Sequence, residues 1–496
     1  MLTNTKRVTR GLPTIVLALF AGGAAVVGSY AASGYTPSFV VAPVAALVAA
    51  TTPDVVIRYA ITVLGDLGEQ LHLVAAVALS IGGIGAVAAA SIALGRRLHN
   101  RALPVILTTA GTWIVVVALT GDPGSATAGA ASAGAVVLVA AVVPALPVGT
   151  DVDPARRRVL AGGLAFLGLG AVGYALARRR PAATDELGAD SPGTSPARRQ
   201  ALLDEAAAKS LDVPGLEPLV SEEFYQVDVN AVDPSVEAAS WSLSVTGAVD
   251  EAVTVDYEQL RAMDATDRFE TLRCVGESLN GKKMDTALWT GVPATDVLER
   301  AGPHSDCGCV MLRAADGYFE EFPLAALDDA LLAYGMNGRE LPRAHGHPVR
   351  VLVPGHWGEI NVKWVTELEV LEREATGYWE KRGWHGTGPV RTVAKLHAVG
   401  QRRDGSDVVG GHAYAGTRGI DRVEVSTDGG ATWDDAELSD PIPGIDVWRQ
   451  WRYAFDHRGG DAEVVVRAID GTGRRQPRAE SGAFPNGPSG WVSKTI

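Results

Sequence analysis

Acidic residues are nearly missing from the first third of the chain. Residues 1–180 contain 6 Asp or Glu and 13 Lys or Arg, whereas the rest of the 496 residues contains 51 acidic and 31 basic side chains. Binding to nucleic acid needs a concentrated basic surface, so the acidic remainder argues against a nucleic-acid partner. A chain of this length exceeds one compact core, and we expect two or more domains.

Cysteine is also scarce. The three cysteines, Cys274, Cys307 and Cys309, do not form a legible disulfide framework. Cys307 and Cys309 are separated by one glycine, which is too close for an easy bridge and offers only half a zinc site. We therefore expect this pair to be two unlinked thiols.

Signatures of a built-in electron carrier are missing too. The apolar part contains only His72 and His99, both near predicted helix ends, so a haem held between helices is not expected. There is no Gly-rich nucleotide fingerprint in a strand-to-helix setting and no cysteine cluster for iron and sulfur. Any redox reaction would need a separate electron-transfer partner or a quinone.

Long apolar runs fill the first third of the chain. Five are long enough for membrane-spanning helices, at residues 13–32, 71–94, 104–120, 126–148 and 159–177. Residues 38–64 are apolar but interrupted by proline and charge, and they would span, re-enter or lie on the surface. We predict a transmembrane helical anchor at residues 1–180 with about five spans, or six.

Basic clusters predict the orientation of these helices. With five spans, the clusters at residues 6–10, 96–101 and 156–158 fall on one side, which the positive-inside rule makes cytoplasmic. The large C-terminal part is then extracytoplasmic in a multi-pass protein of the cell membrane. A further cluster at residues 178–180 conflicts with this orientation.

The next segments turn polar and then strand-like. Residues 181–214 read as a linker with a short helix near 201–210. Residues 241–249 alternate like a half-buried strand, and 253–262 suggest a strand followed by a helix. Another short strand ends at Cys274, where Arg273 could stabilise the thiolate that a soft transition metal requires.

Several motifs follow one another in a telling order. The chain has Thr-Leu-Arg-Cys-Val-Gly at 271–276, Leu-Trp-Thr-Gly-Val-Pro at 288–293, Ala-Asp-Gly-Tyr at 315–318, His-Gly-His-Pro-Val-Arg at 345–350 and Asn-Val-Lys-Trp at 361–364. Over residues 224–385 this order resembles the sulfite oxidase family of molybdopterin-dependent oxidoreductases. The resemblance implies an α+β molybdopterin domain at 215–387 that carries a molybdenum–molybdopterin cofactor.

The resemblance also implies roles for individual residues. Cys274 would be the thiolate ligand of molybdenum, and Trp384 matches the position of the family's active-site tyrosine; with Arg273 these form the predicted catalytic set. Arginine, lysine and histidine suit the phosphate and heterocycle of a pyranopterin. The predicted cofactor-binding residues are Cys274, Asp316, His345, Arg350, Asn361, Val362 and Lys363.

Short alternating runs fill the C-terminal part. Their spacing at residues 388–496 predicts a β-sandwich of about seven strands. The runs at 419–430 and 485–492 resemble the family's immunoglobulin-like dimerisation domain, which implies a homodimer.

The chain departs from the family where a sulfite-oxidising member has arginines. Glu277-Ser278-Leu279 follows the metal cysteine, and Gln226-Val227-Asp228 follows the upstream aromatic pair. Because sulfite is a dianion that needs fixed positive charge, we expect oxo transfer with an uncharged substrate instead. The alternative is a cofactor-free, membrane-anchored binding module that uses the β-sandwich.

Overall fold

Two compact units make up the chain in a computed structural model that describes residues 2–142, 154–178, 187, 191–401, 406–456 and 462–496. The first unit contains the long N-terminal helices together with Asp228–Ser235, and the second contains Asp54–Gly65 and most of the chain after the helices. Residues 179 and 180 of the arginine run at 178–180, and most of residues 181–190, lie outside the described residues.

Helices form the first unit. They are α1 (Leu2–Ser33), α2 (Val41–Thr51), α4 (Asp66–Arg97), α5 (Leu103–Thr120), α6 (Pro123–Val142) and α7 (Pro154–Arg178). In the described residues, four helical stretches are long and apolar enough to cross a membrane, namely Leu12–Ser33, Leu67–Arg97, Leu103–Thr120 and Pro123–Val142. The predicted fifth stretch lies within α7, and residues 38–64 are broken into two helical pieces instead of one continuous helix.

Small residues let these helices approach closely. A β-carbon added to Gly22 or Gly28 of α1 would overlap a backbone carbonyl of α4 or α6. Ser29 of α1 bonds to Ser125 of α6 at 2.6 Å between hydroxyl oxygens. Close helix contacts through glycine and serine are typical of helices packed in an apolar medium.

The second unit begins with helical segments and a mixed sheet. Its helices are α3 (Asp54–Tyr59), continued by a π-helical turn (Ala60–Leu64), α8 (Pro196–Lys209), α9 (Tyr257–Arg261) and α10 (Ala294–Leu298). The first sheet has the order β2-β1-β10-β5-β6, with β1 and β10 parallel. These strands are β1 (Ser242–Gly247), β2 (Val253–Asp256), β5 (Cys309–Ala314), β6 (Phe319–Pro323) and β10 (Val365–Leu371).

The sequence predicted the beginning of this sheet correctly. β1 alternates buried and partly exposed residues, which confirms the half-buried strand predicted at 241–249. The strand and helix predicted at 253–262 are β2 and α9. Asp256 and Gln259 close the first turn of α9 as a reciprocal capping box.

A second, largely buried sheet carries the site. Its order is β3-β4-β7-β8, with β9 paired to β7. The strands are β3 (Thr266–Arg273), β4 (Met284–Pro293), β7 (Leu331–Met336), β8 (Arg339–Glu340) and β9 (Arg350–Leu352). Side chains of both sheets, including Leu243, Leu332 and Leu368, meet in one apolar core.

The C-terminal part consists of two sheets that share a core. One has the order β11-β13-β17-β16 with β12 beside β13, and the other has the order β15-β14-β18-β19. Nine strands lie in the described residues, where about seven were predicted: β11 (Val393–Ala394), β12 (Ala398–Gln401), β13 (Asp407–Tyr414), β14 (Ile420–Ser426), β15 (Asp434–Asp435), β16 (Glu437–Leu438), β17 (Arg449–Phe455), β18 (Glu463–Asp470) and β19 (Val492–Thr495). Trp451 of one sheet and Val464 of the other are fully buried in that core.

The prediction for the two neighbouring cysteines was wrong. Cys307 and Cys309 form a disulfide, with 5.4 Å between their α-carbons, instead of standing as two unlinked thiols. Gly308 between them has φ +60°, a left-handed conformation that glycine adopts without strain. This turn reverses the chain sharply enough to bring neighbouring cysteines together.

Candidate active site

Cys274 stands at the end of a buried strand ladder. β3 and β4 pair from Thr266–Gly291 to Arg273–Met284, and Cys274 is the next residue. Its N–H donates to the carbonyl of Lys283 at 2.9 Å. It is the one cysteine outside the disulfide, and it is partly exposed. The sheet thus fixes the position of a free thiol on a residue that is only partly buried.

The surroundings of Cys274 favour the neutral thiol when no metal is bound. Burial raises the pKa of Cys274 to about 11, with smaller contributions in the same direction from Glu277 and Glu359. The Gly276 N–H and Lys283 lower it. A bound metal cation would displace the thiol proton, since the thiolate is the form that ligates metals. Lys283 is therefore a cationic side chain that favours the thiolate form of Cys274.

Arg273, the predicted partner of the thiolate, belongs to a buried ion network. Its Nε lies 2.7 Å from Glu277 Oε1, and Lys395 Nζ lies 2.7 Å from Glu277 Oε2. The Arg273 guanidinium also lies 4.8 Å from the ring centre of Trp357, and its Nη2 has no hydrogen-bond partner in the described part of the chain. Glu277, in the run where the sequence resemblance led us to look for an arginine, is thus held by two cations.

Trp384 and Tyr225 lie close to Cys274. A β-carbon on Gly276 would be 3.7 Å from Trp384 Cη2 and 3.8 Å from Cys274 Sγ, so the indole and the thiol flank the same glycine. Burial and the proximity of Cys274 hold the pKa of Tyr225 well above its usual value. Tyr225 belongs to the aromatic pair Phe224-Tyr225 that precedes Gln226, and no role in the site was predicted for it. Its place in that pair was the one feature of the sequence that could have indicated such a role.

Three basic side chains lie together and form what we call the basic cluster, namely His345, Arg350 and Lys363. Burial lowers the pKa of His345 to about 3, with further contributions from Arg350 and Lys363. Gly346 makes this proximity possible, because a β-carbon there would lie 3.0 Å from Arg350 Cβ and 3.1 Å from Lys363 Cβ. Two fixed positive charges beside a neutral imidazole suit an anionic ligand.

Backbone hydrogen bonds fix the shape of the basic cluster. Arg350 donates to the carbonyls of His345 at 3.2 Å and Asn361 at 3.0 Å. Lys363 Nζ donates to the Ala344 carbonyl at 3.0 Å. The cluster is therefore a set of preorganised loops and not a group of freely moving surface cations.

The other three predicted cofactor residues mainly shape the chain. Asn361 accepts a hydrogen bond from Val353 N–H at 2.7 Å and donates to the Trp357 carbonyl at 3.0 Å. Val362 is buried in the apolar core. Asp316 accepts from Tyr318 N–H at 2.9 Å in the turn between β5 and β6.

Three carboxylates form a second cluster, which the sequence analysis missed. Glu320, Glu359 and Glu380, here called the acidic cluster, each place an oxygen within 4.8 Å of the others. Burial, and then the neighbouring carboxylates, raise the pKa of Glu320 to about 10 and that of Glu359 to about 9. Gly377 leaves the required space, because a β-carbon there would overlap the Glu320 carboxylate. The cluster thus holds protons at neutral pH.

These donors fit a molybdopterin. A single free thiol offers the soft ligand that the metal needs, and the basic cluster offers the charge and the N–H groups that a pterin phosphate needs.

Comparison with known proteins agrees with this donor set. Residues 230–379 match the family described as "Oxidoreductase molybdopterin binding domain", and residues 391–483 match "Mo-co oxidoreductase dimerisation domain". The second unit therefore carries the binding domain of a molybdopterin-dependent oxidoreductase.

Individual relatives show to which family of molybdopterin-dependent oxidoreductases the chain belongs. Mouse mitochondrial sulfite oxidase is 30% identical over 298 residues, which cover 49% of this chain and 54% of that protein. The uncharacterized oxidoreductase YuiH of Bacillus subtilis is 30% identical over 154 residues, which cover 31% of this chain and 76% of YuiH. The chain belongs to the sulfite oxidase family, as its motifs predicted, and it spans about half the length of the curated sulfite oxidases that it matches.

Among solved structures, the sulfane dehydrogenase SoxCD from Paracoccus pantotrophus resembles this chain with a TM-score of 0.46 and 21% identity. The likeness covers 54% of this chain and 78% of that one.

Proposed function

We propose that this protein is a membrane-anchored oxidoreductase that removes an oxygen atom from an uncharged oxide, such as a sulfoxide, at a molybdopterin centre. The observation that carries the proposal is the fixed state of Glu277. Its carboxylate is buried and held by Arg273 and Lys395. The two cations that could otherwise meet a dianion such as sulfite, Arg273 and Lys395, are therefore both paired with this carboxylate.

The bound molybdopterin would supply the two-electron oxygen-transfer chemistry. In the proposed reaction the sulfur–oxygen bond of the sulfoxide breaks, two electrons and two protons are consumed, and the products are a thioether and water. A separate electron-transfer protein or a quinol would supply the electrons.

The chain's own residues divide the work. Cys274 Sγ would hold the metal, and the basic cluster would hold the cofactor phosphate. The acidic cluster would hold protons close to the centre, since Glu359 is near enough to influence the pKa of Cys274. The buried ring of Trp384 and the partly buried ring of Tyr225, both beside Cys274, would exclude water from the reacting atoms.

Membrane anchoring rests on the first unit. Large apolar side chains of its helices are exposed, including Leu79, Ile106 and Ile114. Such surfaces are unfavourable in water and suit lipid. The Cys307–Cys309 disulfide supports an extracytoplasmic site, because disulfides persist in oxidising compartments. Protease added to intact cells should cleave residues after 190 and spare the helices; resistance would argue for the opposite orientation.

The match to a dimerisation domain supports a homodimer. Light scattering in mild detergent should give twice the chain mass after the detergent contribution is subtracted, and a single-chain mass would contradict it.

The decisive experiment combines metal analysis with paired assays. Protein made in cells that synthesise the cofactor should contain one molybdenum per chain, reduce methyl phenyl sulfoxide with an artificial electron donor, and oxidise sulfite poorly. Rapid sulfite oxidation would overturn the substrate assignment. A molybdenum-free native protein would overturn the whole proposal and favour a cofactor-free binding module.

A further inference from the structure

A short segment from between the N-terminal helices belongs to the second unit. Asp54–Gly65 comprises α3 and the π-helical turn, and it groups with the molybdopterin domain despite its distance in sequence. Asp54 Oδ1 lies 3.4 Å from Arg382 Nε, and the Arg58 guanidinium lies 4.8 Å from the ring centre of Phe484. The ion pair thus holds the first turn of the segment on the molybdopterin domain, and the cation–π contact holds it on the C-terminal part of the same unit.

Ile61 lies in the same segment and packs beside Gly276, two residues after Cys274. Its Cγ2 is 3.0 Å from the point that a β-carbon on Gly276 would occupy. Trp384 and Cys274 Sγ lie within 4 Å of that same point. Glycine at position 276 is what allows this approach, because a larger residue would press against Ile61.

The two faces of the segment differ. Val55 and Val63 are 60% and 62% exposed, whereas Ile61 is partly buried and packs on the apolar cluster that includes Val275 and Trp384. Ile61 is therefore turned toward Gly276 and Trp384, whereas the side chains of Val55 and Val63 are turned away. This gives a matched control on the same segment.

The surface around Cys274 is apolar on this side. A metal held by Cys274 would lie beside its Sγ, and Ile61 and Trp384, which flank the same glycine as that sulfur, would then belong to the layer of side chains around it. The charged groups that suit the cofactor phosphate lie elsewhere, in the basic cluster. The Ile61 side is thus suited to an apolar group.

We propose that Ile61 forms, with Trp384, an apolar wall over Cys274 that selects oxides bearing an apolar substituent next to the atom that loses oxygen. The choice of oxide rests on the proposed function, whereas the covering of Cys274 by Ile61 does not.

The first test measures substrate selection. In the molybdenum-loaded full chain, Ile61→Ala should raise the KM for methyl phenyl sulfoxide about ten-fold and change that for dimethyl sulfoxide by less than about two-fold, with kcat little altered. Val63→Ala should leave both KM values unchanged. Equal changes for the two sulfoxides in Ile61→Ala would overturn the selective role.

The second test needs neither cofactor nor turnover. In full chain made by cells that lack the cofactor pathway, iodoacetamide at pH 9 should alkylate Cys274 several-fold faster in Ile61→Ala than in wild type or Val63→Ala, with Cys274→Ser as the blank. Unchanged alkylation would overturn the wall itself. Faster alkylation in a protein whose loaded wild type reduces no sulfoxide would retain the wall and remove the proposed substrate class.

Discussion

The basic cluster and the acidic cluster lie in the same molybdopterin domain, and each is an assembly of like charges in a buried setting. In the basic cluster the mutual repulsion is relieved at His345, because burial and the neighbouring Arg350 and Lys363 lower the pKa of its imidazole to about 3. In the acidic cluster it is relieved by uptake of protons, because Glu320 and Glu359 stay protonated at neutral pH. One cluster is therefore left with charge that calls for an anion, and the other with exchangeable protons.

The largest expected effect tests whether both clusters serve one centre. Cys274→Ser replaces a soft ligand by a hard hydroxyl that does not ionise at neutral pH, so turnover should fall by more than about 100-fold. Circular dichroism should show an intact fold, since only one ligand atom changes. Molybdenum analysis and steady-state assays provide the measurement, and wild-type turnover in the serine variant would show that catalysis does not depend on the Cys274 thiolate.

The next effect isolates the basic cluster. Lys363→Ala should lower the molybdenum content per chain, because loss of one charge-assisted hydrogen bond to a phosphate weakens binding by about 1.5–3 kcal/mol. Lys363→Arg should retain most of the metal. Lys381→Ala provides the control, since its ammonium lies 4.3 Å from the Phe319 ring centre and outside the cluster. Full occupancy in Lys363→Ala would contradict anion binding by the basic cluster.

The acidic cluster should make the folding stability of the protein depend on pH. A carboxyl whose pKa is raised from 4.5 to about 9 binds more protons in the folded than in the unfolded state between these values. Stability should therefore fall as pH rises from about 5 to about 9, by up to about 1.4 kcal/mol per pH unit for each such proton.

Glu359→Gln removes one of these titrating groups. Unfolding by urea at several pH values should then show a shallower decline than in wild type. Glu367→Gln, at a half-exposed carboxylate paired with Arg313, should leave the slope alone. A slope identical in all three proteins would show that Glu359 is ionised in the folded state.

The smallest effect should come from the disulfide, which lies outside both clusters. Replacing Cys307 and Cys309 together by serine should cost at most about 2 kcal/mol, because the closed loop is very short. Molybdenum content and the pH slope should stay at wild-type values. Loss of the metal in this double variant would tie the Cys-Gly-Cys turn to the cofactor site.

The contrast between the clusters also explains what the sequence could predict. His345, Arg350 and Lys363 fall in short motifs whose order is readable along the chain, and the structure brings them together. Glu320, Glu359 and Glu380 come from β6 and from two separate 3₁₀ turns, Gly358–Ile360 and Glu380–Arg382. No spacing rule links such positions, so only folding reveals the acidic cluster.

Predictions from local sequence patterns were correct for elements whose structure depends on interactions between residues close in sequence. β1 and α9 follow from alternation and a capping box, both of which act over a few residues. The prediction of two unlinked cysteines was wrong because general spacing rules do not consider a glycine with positive φ between the two cysteines. Ile61 had no local signal at all, since its role depends on contact with Gly276, far along the chain.

The parallel pairing of β1 with β10 has a consequence for biogenesis. Trp241 Nε1 donates to the Val365 carbonyl, 124 residues later, and Asp446 of the C-terminal part accepts from Gly355 N–H at 2.7 Å. The ribosome must therefore synthesise the chain at least as far as Asp446 before these hydrogen bonds can form around the loops of the basic cluster. Cofactor loading is expected to follow translation as a separate maturation step on the finished chain.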